Sequence, residues 1–229
     1  KELPKTKIIL CDITPKQLVA IAGDKLEKKY IQSMNKFRYG AGIFKIDWAL
    51  NGPVPWLSKD CHKAGTIHLG GTSLEIARSE QEVSNGKHPD NPYVLIGQQS
   101  LFDQTRAPDG KQTLWGYCHV PNGSNIDMSN RIESQIERYA PGFREIILKK
   151  HVRNSLDMQT YNSNYVGGDI NGGIQDLKQL IFRPTFGFRS YSTPSEGVYI
   201  CSSSTPPGGG VHGMCGYNAA LEALRKNLF

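Results

Sequence analysis

The chain has 229 residues, 38% hydrophobic and 21% charged, a balance that suits a folded domain and excludes collagen-like and disordered classes. Its net charge of +6 comes from 27 basic and 21 acidic residues spread along the whole length. There is no clustered basic stripe, so no nucleic-acid partner is expected, and the longest apolar runs fall far short of the roughly 20 residues that span a bilayer.

Five cysteines, Cys11, Cys61, Cys118, Cys201 and Cys215, form an odd set without C-x-x-C spacing. Buried free thiols in a reducing compartment follow, and with no signal peptide before Lys1 a cytoplasmic location is expected. A zinc site using Cys61 and His62 would need a second closely spaced ligand pair, which the sequence lacks, so no metal is expected. Lys1 is not an initiator methionine; the sequence reads as starting after processing or inside a longer polypeptide.

In chain order, residues 7–12 form a short apolar strand, followed by Thr14-Pro15, a helix cap and first turn. A second helical segment capped by Asp24 carries the stripe Leu26, Tyr30, Met34, Phe37. From Tyr39 the period changes to two, with Phe44, Ile46 and Trp48 on one face and Lys45 and Asp47 on the other. Strands are also predicted over 65–69, 93–98 and 113–120, the last alternating Trp115, Tyr117 and His119 with Leu114, Gly116 and Cys118. Together they predict an antiparallel sheet. Thr72 and Glu75 have capping-box spacing before a helix to about Val83, and Asp127 precedes a stripe of Ile132, Ile136 and Tyr139. These helices are expected to cover one sheet face.

The sharpest signal lies near the C-terminus, where residues 197–205, 206–216 and 217–225 read in turn as strand, glycine loop and helix. Gly208, Gly210 and Gly213 satisfy G-x-G-x-x-G, whose glycines allow a tight turn and close approach of backbone to a ligand. A complete dinucleotide unit also needs a second strand and an acidic residue roughly 20 positions on, and the sequence ends too soon for either. What remains is a helix start exposed by glycines, with free N–H groups and a partial positive charge. A plain strand-loop-helix connection is the simpler alternative.

The segment Cys201-Ser-Ser-Ser-Thr-Pro-Pro-Gly-Gly-Gly-Val-His-Gly-Met-Cys-Gly-Tyr217 resembles the C-terminal flavin-binding signature of phytoene desaturase-like oxidoreductases, related to the amine oxidase superfamily. The resemblance extends over 44–56, 116–123 and 179–184, and is nearer to the bacterial and mitochondrial branch than to the carotenoid enzymes proper. It implies an FAD cofactor, with Thr205, Gly208, Gly209, Gly210, Val211, His212, Gly213 and Met214 around the flavin. The family's phosphate-binding strand and glycine loop are absent and would lie upstream of Lys1. Tight FAD binding by this chain alone is therefore not expected.

On the substrate side, Trp115, Tyr117, His119 and Arg183 are the candidates: aromatic walls for an apolar cavity, a proton-transfer histidine, and an arginine facing the flavin or an anionic group. No catalytic nucleophile is assigned, because the flavin would accept the hydride. The glycine-rich stretch 161–173 is either a ligand-lining loop or a structural one. A hydrolase triad of Ser203, His212 and Asp169 fails for want of a G-x-S-x-G elbow.

The expected architecture is therefore α+β with α/β character: residues 1–36 and 185–229 as part of a discontinuous, incomplete FAD-binding domain of glutathione reductase-like fold, and 37–184 as an antiparallel-sheet substrate domain. The expected function is hydride transfer from an apolar substrate to flavin in the full-length protein, this fragment alone being inactive. The alternative is a non-enzymatic module that folds or dimerises without cofactor. A homodimer through faces left open by a missing N-terminal part, and peripheral membrane association through the substrate, are the expected partners besides an apolar small molecule.

Overall fold

The computed structural model describes residues 5–186 and 190–228. In chain order the elements are β1 (Ile9–Cys11), α1 (Pro15–Ala22), α2 (Lys28–Met34), β2 (Gly42–Leu50), β3 (Thr66–Leu69), α3 (Ser73–Ser84), β4 (Val94–Gly97), β5 (Gln112–Val120), α4 (Ser129–Glu137), β6 (Ile147–Arg153), α5 (Ser155–Tyr161), α6 (Leu177–Ile181), β7 (Val198–Ile200) and α7 (Met214–Leu228). The chain divides into two compact units, one of Lys1–Gly40 with Asn162–Phe229 and one of Ala41–Tyr161.

The first unit is built on β1 and β7, paired parallel with Leu10 opposite Tyr199. A parallel pair needs a crossover, and here the crossover contains the entire second unit. Leu18, Leu26, Met34 and Ile200 form its small core, with Tyr30 packed against them. Pro15 does open α1, but Thr14 forms no side-chain cap; its N–H donates instead to Asn164 Oδ1 at 2.9 Å. Asp24 does not cap the second helix either. It sits in a separate 3-10 turn, and α2 starts at Lys28 after Glu27.

The boundary expected at 184/185 differs from the observed one, because residues 162–184 fold with the first unit. The buried Asp169 carboxylate accepts from the N–H groups of Gly40 and Gly173, both at 2.8 Å, and of Asn171 at 2.7 Å. Gln179 bonds both the N–H and the carbonyl of Arg38. A buried carboxylate is stable only with donors of this kind, so the loop is fixed to the chain it serves.

The second unit is an antiparallel five-stranded sheet in the order β3-β4-β5-β2-β6. Phe44, Ile46, Trp48, Leu114, Cys118, Val94 and Ile96 point to one face, where they pack with Met128, Ile132, Ile136 and Phe143 from α4 and its flanks. The period-two reading of β2 and β5 thus puts the correct residues in the core. α3 starts with the expected capping box, Glu75 N–H to Thr72 Oγ1 at 3.3 Å and Thr72 N–H to Glu75 Oε2 at 2.8 Å. β6, α5 and α6 have no counterpart in the sequence reading. β6 is an edge strand whose Leu148, Lys149, Lys150 and His151 are exposed, so no apolar alternation marks it.

Candidate functional site

In the first unit, β7 leads into a loop that begins with the buried Ser202, Ser204 and Thr205 and ends at the start of α7. The Thr205 hydroxyl donates to Ser202 O at 2.7 Å, and its carbonyl accepts from Gly208 N–H at 2.9 Å. Thr205 therefore shapes the turn by internal bonds. The Pro206-Pro207 peptide is cis, and Gly208, Gly210 and Gly213 have φ of 105°, 149° and 66°, a region that side chains disfavour. Beyond Gly208, the N–H groups of Gly209, Gly210, Val211, His212 and Gly213 make no hydrogen bond among the described residues. Five successive free donors at the positive end of a 15-residue helix form a cradle for an electron-rich ligand atom.

The loop rests on the glycine-rich segment 169–175. A Cβ on Gly209 would lie 3.1 Å from Gln175 Nε2 and 3.2 Å from Asn171 O, and a Cβ on Gly208 would lie 2.8 Å from Arg183 Nη1. The two glycine-rich stretches, ambiguous when read separately, are thus packed backbone to backbone. Val211 at the tip is fully exposed.

Arg183 is 0% exposed. Its Nε and Nη2 donate to Ser204 O and Gly172 O, both at 3.3 Å, its guanidinium lies 5.9 Å from the Phe37 ring centroid, and Nη1 has no partner. Desolvation lowers its pKa, partly opposed by Cys215 and Asp169, yet a guanidinium stays charged at neutral pH. Buried cations are normally paired with a carboxylate. An unpaired one against Gly208 fits a site for an anionic or electron-rich group, so these residues fit the flavin that the resemblance implies. Arg183, expected to face the flavin or an anionic group, stands beside the glycine loop, because its backbone belongs to the segment that folds with the first unit.

His212 accepts through Nδ1 from Met214 N–H at 3.0 Å, closing the helix start. Met214 is the first residue of α7 and 39% exposed. Replacing His212 with Ala should cost about 1 kcal/mol of stability by loss of this cap, measured as a lower denaturation midpoint, and Asn should restore much of it. Equal midpoints for native and Ala chains would show that the cap contributes nothing.

The second unit holds Trp115, Tyr117 and His119 in one row on the half-exposed face of β5, opposite its core face. The Trp115 and Tyr117 rings are parallel within 5° at 6.2 Å between centroids, and His119 follows at 6.0 Å from Tyr117. Two neighbours escaped the sequence reading. Glu80 on α3 accepts from His119 Nδ1 at 2.7 Å, and Tyr93, just before β4, bonds His68 and is pushed up in pKa by burial and by Glu80. Burial, Tyr93 and Glu80 also raise the Tyr117 hydroxyl, which keeps it a donor. Neither partner carried a signal, since Glu80 reads as a helix-surface charge and the bond spans 39 residues.

All five cysteines are free thiols, and among the described residues no group of three or more His, Cys, Asp or Glu converges as a metal site. No helix among them is long and apolar enough to cross a membrane.

An oxidoreductase from Methanosarcina mazei superimposes with a TM-score of 0.59 over 96% of this chain and 44% of its own, at 13% identity, a likeness of fold. In sequence, the chain is similar to the mouse pyridine nucleotide-disulfide oxidoreductase domain-containing protein 2, with 29% identity over 73% of this chain and 31% of that protein. It is also similar to the 4,4'-diapolycopen-4-al dehydrogenase of Metabacillus indicus, with 30% identity over 54% of the chain and 26% of the enzyme. Its homologues are oxidoreductases. The chain spans about a third or less of the length of these relatives. No family model matches it.

Proposed function

We propose that this chain is the C-terminal portion of an FAD-dependent oxidoreductase of the phytoene desaturase-like kind, and that its glycine loop holds the flavin ring. The observation that carries this reading is the run of five free N–H groups over 209–213 at the start of α7, backed by the unpaired Nη1 of Arg183. When bound, FAD would supply the two-electron acceptor for hydride removal from an apolar substrate. The loop N–H groups would hold the electron-rich pyrimidine edge, the α7 terminus would favour negative charge arising there, and Arg183 would add a positive charge in a dry setting.

The remaining affinity would come from a phosphate-binding unit elsewhere in a longer protein. A two-stranded parallel sheet with a half-exposed Leu10 supports this, since parallel sheets are usually covered and wider. The test is flavin absorbance of the purified full-length protein and of this 229-residue chain after incubation with FAD. Stoichiometric flavin on the full-length protein, lost on Gly209→Val, is the expected result. Absence of flavin from both proteins would favour the non-enzymatic module.

A further inference from the structure

Glu80 and His119 are linked across the edge of an aromatic surface, and the link fixes a proton. A carboxylate only accepts, so the 2.7 Å bond makes Nδ1 of His119 the donor. In the neutral ring the lone pair is then left on Nε2, which has no hydrogen-bond partner among the described residues. The His119 side chain is 27% exposed, on the same face as Trp115 and Tyr117. Trp115 lies against Gly97 of β4, where any side chain would collide with the indole, so the sheet is cut away to seat that ring.

We infer that this face binds a flat apolar ligand bearing a hydroxyl group, its body on Trp115 and Tyr117 and its O–H donated to Nε2 of His119. Parallel aromatic rings favour a flat partner, and a single oriented acceptor at one end of the row selects a donor. A neutral donor suits the site better than an ammonium, because Lys45 Nζ, held by Asp47, already lies 6.0 Å from the Trp115 ring. A second cation beside it would be repelled.

The inference deepens the proposed function by naming what its substrate-side sheet accepts, and it rests on that reading. Its test needs no flavin, so the two fail separately. The probes are pyren-1-ylmethanol and its methyl ether, which share the flat body and differ in the O–H donor. Binding to the 229-residue chain is read from quenching of tryptophan fluorescence. The alcohol should bind about fivefold more tightly than the ether, the difference that one net hydrogen bond of about 1 kcal/mol makes at a part-exposed acceptor. His119→Phe should abolish the preference while leaving ether affinity within about twofold, which also shows that the variant is folded. Glu80→Leu, which frees the tautomer, should reduce the preference. Equal binding of alcohol and ether to the native chain, a preference that survives in His119→Phe or is undiminished in Glu80→Leu, or no binding of either probe overturns the inference.

Discussion

Arg183→Met is expected to weaken flavin binding to the full-length protein by at least about thirtyfold, roughly 2 kcal/mol, while changing the stability of the flavin-free protein by less than about 1.5 kcal/mol. The two parts have one cause. In this chain the guanidinium is fully buried, makes two long bonds of 3.3 Å and, among the described residues, has no carboxylate partner and leaves Nη1 unsatisfied. Much of what those bonds contribute is offset by desolvation, and a methionine of similar length fills the space without that penalty. With the proposed flavin bound, the positive charge would meet electron-rich atoms in a low-dielectric setting, where it would count most. Flavin titration and urea denaturation of the two proteins decide the matter. A variant that keeps its flavin affinity removes Arg183 from the site, and one that loses several kcal/mol without flavin makes the arginine a structural post.

Trp48→Ala should destabilise the second unit by about 3–5 kcal/mol, enough to threaten its folding. Trp48 is 2% exposed, meets Phe143 edge to face at 5.6 Å and 82°, and donates through Nε1 to Glu133 Oε1 at 3.3 Å. Removing the indole opens a cavity at the centre of β2, which is flanked by β5 and β6 and so cannot collapse easily. Glu133 is itself nearly buried, but it keeps Lys150 at 2.7 Å and Arg144 at 3.8 Å, so the charge is not abandoned. Phe at this position should cost less, about 1–2 kcal/mol, because it refills most of the volume and loses only the N–H. Urea denaturation followed by far-ultraviolet circular dichroism measures both. A loss below about 1 kcal/mol for the Ala variant would mean that the core does not close around Trp48.

The sequence by itself determined the local pieces whose signal is periodic or steric. Alternation placed Phe44, Ile46 and Trp48 on the core side of β2 and Trp115, Tyr117 and His119 on the other side of β5, because a strand has no choice but to alternate. The capping box of α3 and the glycine loop before α7 were legible because their chemistry is contained within a few residues. The resemblance of residues 201–217 pointed to oxidoreductases, and the homologues of the chain are oxidoreductases.

Only the tertiary structure decided what depends on residues distant in sequence. Asp24 and Thr14 looked like caps, but Thr14 bonds Asn164, 150 residues away, and no local rule could show this. The edge strand β6 lacks an apolar face of its own and exists because β2 offers it hydrogen bonds. The surroundings of Arg183 were hidden for the same reason. Sequence shows an arginine before a proline, whereas its burial, its unpartnered Nη1 among the described residues and the approach of Gly208 are properties of the folded chain. The Glu80 to His119 link is a contact between a helix and a strand, and the tautomer it sets is a property of the folded chain, since only folding brings a carboxylate within 2.7 Å of that nitrogen.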